Sequence, residues 1–181
     1  MARRDALSPE ARVAGSLVIA ERCLAIVAPW QPNCLAAYLP IRSEVDPEPL
    51  LDLARAAGVE IALPAVAGPT AMVFRRYRVG DALIKGGLGT RAPSITAAVV
   101  EPDVIVIPMV GFDRTGARLG HGAGFYDRAL AAIHARGRRP PLVGIAFSVQ
   151  EVARIPHEPH DIRLDWIVTE TETLDFTAKS S

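Results

Sequence analysis

The sequence predicts an α/β fold: a single domain whose mostly parallel sheet carries helices on both faces. Three observations lead there. Apolar runs at residues 34–39, 59–63, 103–108, 142–147 and 166–168 are continuous rather than alternating, as in strands covered on both sides. Helical patterns at 47–57 and 124–137 lie between them, which is what parallel pairing demands. The 181 residues, half of them hydrophobic, suffice for one sizeable core and place 1–181 in one domain.

The first helix is announced by Ser8-Pro9-Glu10: a serine N-cap, proline at the first helical position and an acid in the first turn. Leu17, Ile19, Ala20, Leu24 and Val27 give it a broad apolar face to about residue 28, where Pro29-Trp30-Gln31-Pro32 ends it. Strand 34–39 stops at Pro40. A loop through Glu44 and Asp46 feeds the helix 47–57, closed by Gly58. Strand 59–63 is expected to stop at Pro64. Residues 72–79 alternate more and suit an edge-like strand, with Met72, Phe74 and Tyr77 read as packing. The stretch 85–94, with Gly86, Gly87, Gly89 and Pro93, reads as an irregular, mobile connection. Strand 103–108, helix 124–137, strand 142–147, a proline-pinned loop at 156–161 and strand 166–168 complete the chain. Trp30 and Trp166 are read as packing. Ligands of such sheets sit outside the carboxyl ends of the strands, so the loops after Leu39, Pro108 and Phe147 are the candidate site.

Composition narrows the function. Lys+Arg and Asp+Glu are equal at 20 each, which argues against the basic face that nucleic acid requires. Cys23 and Cys34 lack metal-ligand spacing and read as buried free thiols; His157 and His160 likewise lack a zinc pattern. No secretory signal opens the sequence. The apolar stretch 13–28 is broken by Glu21-Arg22 and is too short to span a bilayer. A soluble, cytoplasmic monomer without membrane or nucleic-acid partners is expected.

The richest segment is 102–130. A buried-type strand turns through Phe112-Asp113-Arg114-Thr115-Gly116, passes glycines at 120, 122 and 124, and enters a helix carrying Phe125, Tyr126, Asp127 and Arg128. A strand, a glycine loop and a helix N-terminus form an anion cradle: backbone N–H groups and the positive end of the helix dipole converge on a phosphate. The run is neither the dinucleotide fingerprint G-x-G-x-x-G nor a P-loop, since no Gly-Lys-Ser/Thr follows.

Three blocks together resemble the 5-formyltetrahydrofolate cyclo-ligase (5,10-methenyltetrahydrofolate synthetase) family. They are 103–108 with Phe112-Asp113 and Gly116; Arg118-Leu-Gly-His-Gly-Ala-Gly-Phe-Tyr-Asp-Arg128, similar to that family's RLG-x-G-x-G-[YF]-Y-D-R signature; and Ile145-Ala-Phe147 with Gln150, then His160-Asp161. Weaker echoes fall at Leu7-Ser8-Pro9-Glu10, 39–44 and Leu63-Pro64. The resemblance implies an ATP- and Mg²⁺-dependent ligase that converts 5-formyltetrahydrofolate to 5,10-methenyltetrahydrofolate, releasing ADP and phosphate. It implies that Arg118, Leu119, Gly120, His121, Gly122, Ala123, Gly124, Phe125 and Tyr126 form the nucleotide-phosphate loop. Arg118 and Tyr126 would be catalytic, Asp127 and Asp161 would hold magnesium, and Leu39, Glu44 and Tyr126 would meet the folate.

The sequence also departs from the family pattern. A Lys-x-x-x-Arg pair that reaches the ATP phosphates in relatives, upstream of the Leu-Ser/Thr-Pro-Glu segment, is not in this sequence; Arg3 or Arg4 is expected to substitute in part. Ala92 stands where many members have glutamate. Two alternatives therefore stay open: a catalytically weakened paralogue that binds folate or nucleotide, and another phosphate-handling enzyme on a related sheet.

Overall fold

The structure is a computed structural model that describes residues 2–86, 89–120, 122, 124–156 and 161–177. Its strands in chain order are β1 (Cys34–Ala36), β2 (Glu60–Val66), β3 (Met72–Tyr77), β4 (Leu83–Lys85), β5 (Arg91–Pro93) and β6 (Val99–Val100). They continue with β7 (Val104–Pro108), β8 (Gly111–Phe112), β9 (Arg118–Leu119), β10 (Leu142–Ile145), β11 (Trp166–Val168) and β12 (Thr173–Asp175). Eight of these form one sheet in the order β12-β11-β10-β7-β1-β2-β3-β6, while β4-β5 and β8-β9 are separate two-stranded ribbons. The five central strands pair parallel. β12 closes one side antiparallel, and β3 followed by β6 closes the other. The mostly parallel sheet expected from the continuous apolar runs is therefore present.

Both faces are covered, and β7 shows how. Val104 and Val106 point into one hydrophobic cluster, Ile105 and Ile107 into the other, as strand alternation requires. The first cluster lies under helices α2 (Pro9–Val27) and α3 (Glu48–Ala56), through Ile19, Cys23, Leu50 and Leu51. The second lies under α4 (Phe125–Ala135), through Leu130 and Ile133. A short helix α1 (Ala2–Asp5) precedes them.

Ser8 caps α2 as expected, accepting a hydrogen bond from the Ala11 N–H at 3.1 Å. The helix ends at Val27, as expected, but the 3₁₀ turn that follows lengthens it beyond the stretch 13–28 that was expected to be too short for a bilayer. With the 3₁₀ turn at Ala28–Trp30, Pro9–Trp30 is 22 residues and long and apolar enough, by length and composition, to cross a membrane. Its inner side, with Ile19, Ala20, Cys23 and Val27, is packed into the core. Cys23 and Cys34 are free, buried thiols. Burial pushes Cys23 up to about 12, and burial with the Glu60 and Asp103 charges pushes Cys34 to about 11.

Several elements differ from expectation for local reasons. β2 runs through Pro64 instead of stopping there. Ala62 accepts from the Ala37 N–H on the β1 side, so alternation turns residue 64 to that same side, beyond the end of β1, where a missing N–H costs nothing. β1 itself is shorter than predicted, because the chain peels away at Tyr38, whose hydroxyl donates to the Val45 carbonyl at 2.7 Å. The supposedly irregular stretch 85–94 contains half of a hairpin: Leu83, Ile84 and Lys85 pair with Pro93, Ala92 and Arg91. Gly87 and Leu88 lie outside the described residues.

Chain order across the sheet reverses at β1. From β1 the chain moves to β2 on one side, then returns to β7 on the other and continues outward to β10 and β11. The crevice outside the carboxyl ends of β1 and β7 is therefore the topological switch point, where ligands of doubly wound sheets bind.

Candidate active site

An open cavity of about 1240 Å³ occupies that crevice. One wall is Tyr38 to Arg42 and Glu44, which follow β1; another is Pro64 and Val66 at the end of β2. Pro108 ends β7 at its floor, and Ala117 to Gly120 with Gly122 and the first turn of α4 face the β1 loop. The third expected loop, after Phe147, is not among the lining residues. It acts from behind instead. The buried Gln150 accepts from the Phe147 N–H at 2.9 Å and donates to the carbonyls of Met109 at 2.7 Å and Val110 at 3.2 Å, fixing the chain that leaves β7.

The approach to the glycine loop is set by Asp113, which is 1% exposed. One carboxylate oxygen accepts from the Thr115 N–H and hydroxyl, at 2.8 and 2.6 Å; the other accepts from the Ile155 N–H at 2.8 Å. Burial pushes this carboxyl up, but the Thr115 hydroxyl and the converging N–H groups outweigh it and hold the pKa below the usual range. Gly116 completes the turn at φ 81°, with the Leu164 carbonyl and the Phe176 ring 3.2 Å from where a Cβ would stand. Only glycine fits both the dihedral and the space.

Beyond that turn the signature residues converge. Arg118 donates through Nη2 to Asp127 Oδ1 at 2.5 Å and through Nη1 to the Ile162 carbonyl. Ile162 N–H meets the same Asp127 oxygen at 3.3 Å. The side chain of Arg118 is 7% exposed and that of Asp127 23%. α4 opens at Gly124, φ 60°, with no side-chain cap, so its first N–H groups face the cavity mouth without intrahelical partners, as an anion site requires. The Tyr126 hydroxyl oxygen is buried and has no partner among the described residues. Burial and the nearby Glu44 charge push its phenol up, against a smaller opposing effect of Arg118, so it is a donor at neutral pH. Across the cavity, Glu44 is buried and accepts from the Ile41 N–H at 3.0 Å.

Thus Leu39, Glu44, Arg118, Leu119, Gly120, Gly122, Gly124, Phe125, Tyr126, Asp127 and Asp161 all line one cavity. His121 and Ala123 lie outside the described residues, as do His157 and His160. Arg3 and Arg4 are not in the lining. Arg3 donates to the Glu151 carbonyl at 2.9 Å, and Arg4 is buried against Ser43. Met72, read as packing, lines the cavity as well.

The residues missed from sequence are mostly cationic. Arg42, Arg91, Arg128 and Arg163 join Arg118, giving five arginines against the carboxylates of Glu44, Asp127 and Asp161. Arg91 adjoins Ala92 and Arg128 adjoins Asp127, while Arg42 and Arg163 stand two positions from Glu44 and Asp161; that proximity was the available signal. Among the described residues no group of three or more His, Cys, Asp or Glu could hold a metal. Magnesium commonly takes only one or two protein carboxylates and fills its other positions with water and phosphate; Asp127 and Asp161 both line the cavity.

Fold and site define a doubly wound α/β protein with an arginine-rich crevice at its switch point. The 5-formyltetrahydrofolate cyclo-ligase family matches residues 1–170, and the chain belongs to that family. Its relatives include the 5-formyltetrahydrofolate cyclo-ligase of Escherichia coli K12, 31% identical over 180 residues, which cover 96% of this chain and 98% of that one. The enzyme of that name from Mycolicibacterium smegmatis is 34% identical over 144 residues, 75% of this chain and 72% of the relative. Among solved structures, the 5,10-methenyltetrahydrofolate synthetase of Aquifex aeolicus superposes with a TM-score of 0.80 at 30% identity, covering 97% of this chain and 88% of that one. The synthetase of Mycoplasma pneumoniae gives 0.76 at 26%, covering 93% of each. The relatives' shared name is that of a ligase, and the chain is an enzyme of this kind.

Proposed function

We propose that the chain couples ATP cleavage to closure of 5-formyltetrahydrofolate into 5,10-methenyltetrahydrofolate, releasing ADP and phosphate. The observation that carries this is the meeting, across one cavity, of a Glu44-bearing wall and a glycine loop at a helix N-terminus. Glu44 presents a carboxylate to the amino and ring N–H groups of the pterin, with Leu39 packing beside it. The loop from Arg118 through Leu119, Gly120, His121, Gly122, Ala123, Gly124 and Phe125 to Tyr126 takes the ATP phosphates, using backbone N–H groups and the α4 dipole.

The formyl oxygen attacks the γ-phosphorus and ADP leaves, converting the amide-like oxygen into a phosphate ester on an iminium carbon. N10 then adds to that carbon, loses its proton, and the C–O bond breaks to release phosphate. Such transfers ask the protein for alignment and charge neutralisation more than for covalent help. Arg42, Arg91, Arg128 and Arg163 offset the charge of the phosphates. Tyr126, whose hydroxyl has no partner among the described residues, donates its hydroxyl hydrogen toward the oxygen being phosphorylated. Asp127 and Asp161 would hold Mg²⁺, which supplies further neutralisation of the triphosphate. A soluble, cytoplasmic monomer accords with the burial of the inner side of α2.

The test is direct. The chain is mixed with 5-formyltetrahydrofolate, ATP and Mg²⁺, and methenyl-tetrahydrofolate absorbance is followed in the near ultraviolet. Growth of that band with stoichiometric ADP is expected; no growth at saturating ATP overturns the reading. Asp127→Asn should lower kcat by about 100-fold while leaving folate binding within about twofold; equal loss of both makes Asp127 structural. A second reading, a paralogue that binds without efficient turnover, is favoured by the placement of Arg3 and Arg4 away from the cavity. Folate binding without methenyl formation would select it.

A further inference from the structure

Arg4 has no role in that chemistry, yet it is 2% exposed. Its Nε donates to Ser43 Oγ at 3.1 Å, and the Ser43 hydroxyl donates in turn to Asp5. Its Nη2 is buried with no hydrogen-bond partner among the described residues. A guanidinium in this state is a poor stabilising device: an apolar side chain of similar volume fills the space without an unmet donor. What Arg4 holds is the middle of a strained turn. Glu44 N–H donates to the Ile41 carbonyl at 3.2 Å, and Ile41 N–H returns a bond to the Glu44 carboxylate at 3.0 Å. Between them Arg42 stands at φ 55°, a left-handed conformation that a non-glycine residue keeps only when its surroundings over-determine it. Ile41, Arg42 and Glu44 line the cavity, whereas Ser43 is turned to Arg4. Helix α1 is pinned at its other flank by the bond from Arg3 to the Glu151 carbonyl.

We propose that Arg4 is a positioning residue for the folate end of the site: acting through Ser43, it locks the Ile41–Glu44 turn and so aims the Glu44 carboxylate. The inference rests on the reading that this wall receives the reduced folate. Loss of the clamp frees the turn to sample other backbone states, which Glu44 then leaves only on binding, so affinity falls without a change in the chemical step.

The test compares the wild-type chain with Arg4→Met and Ser43→Ala in steady-state turnover, with 5-formyltetrahydrofolate binding measured separately by calorimetry. Each variant should raise the KM and Kd for 5-formyltetrahydrofolate by about tenfold, leaving kcat and the KM for ATP within about twofold. Arg4→Lys should restore part of the loss, and the double variant should be no worse than either single one. An unchanged folate KM and Kd in both variants, or a fall in kcat alone as from a lower folded fraction, overturns the proposal. If Arg4→Met does not fold, Ser43→Ala carries the same test, because it removes the contact and keeps the buried guanidinium. A wild-type chain that neither binds nor converts 5-formyltetrahydrofolate overturns the functional reading itself; wild-type turnover with unaffected variants overturns only the role of Arg4.

Discussion

Asp113 shows how much a single carboxylate can organise. It gathers three donors from Thr115 and Ile155 and holds the turn that launches the signature segment. A carboxyl whose folded pKa lies below its unfolded value contributes stability that is complete above the unfolded value, about 3.9, and is lost as pH falls through the folded one. Urea unfolding of the wild type should therefore weaken progressively below about pH 5. Asp113→Asn turns an amide toward one of these donors; it should cost about 1–3 kcal/mol at pH 7 and flatten that acid slope. An unchanged midpoint at pH 7 would remove Asp113 from this role. Tyr126 makes the opposite case. Its hydroxyl is buried without a partner among the described residues, so Tyr126→Phe should leave the melting temperature of the ligand-free chain equal or higher while lowering kcat/KM about tenfold or more. A lower melting temperature would show that the hydroxyl serves the fold. Residues of this kind were legible in sequence because fixed spacing along one turn and one helix places them together. Arg42, Arg91 and Arg163 were not, because whether a surface-type arginine turns into a cavity depends on elements far away in the chain.

At the scale of elements, β10 carries the tightest constraint. A Cβ on Gly144 would lie 2.1 Å from Met109 Cε and 2.4 Å from Leu164 Cδ1. The strand is therefore crossed there by side chains arriving from the loops on either side. Gly144→Ala should destabilise by about 1–3 kcal/mol through overpacking, read as a lower urea midpoint with an unchanged slope; a midpoint at or above wild type would mean the core repacks freely. The buried parallel strands and the three longer helices were readable, since a continuous apolar run and a capped periodic run each have one physical meaning. The short pieces were not. β4, β5, β8, β9 and β12 have two or three residues each, too few to show a period. Pro64 misled for a related reason: whether a missing N–H matters depends on where the neighbouring strand ends, which no local window contains.

At the scale of the whole molecule, the two thiols report on the integrity of both layers. Cys23 belongs to the cluster under α2 and α3, Cys34 to the one under α4. Both are buried, with thiols raised by burial to about 12 and about 11, so little thiolate exists at neutral pH. Alkylation of the native chain at pH 8 should therefore proceed at the rate of global opening for both, measured by mass spectrometry against unfolding kinetics. Faster labelling of one would reveal a layer that opens alone. The layered fold followed from sequence because chain order and apolar continuity suffice to specify it, whereas the chain reversal at β1 that locates the crevice appears only when strand order is known.

The contact from Arg3 to Glu151 joins residues 148 positions apart in the chain. A ribosome adding about 5–20 residues per second needs about 7–30 s to travel between the two. Throughout that interval α1 has its Arg4–Ser43 contact but lacks its second anchor, and the rim formed by Asp161 to Arg163 does not yet exist. A nascent chain stalled before residue 151 should thus hold a partly built sheet around a crevice that still lacks one side of its lining.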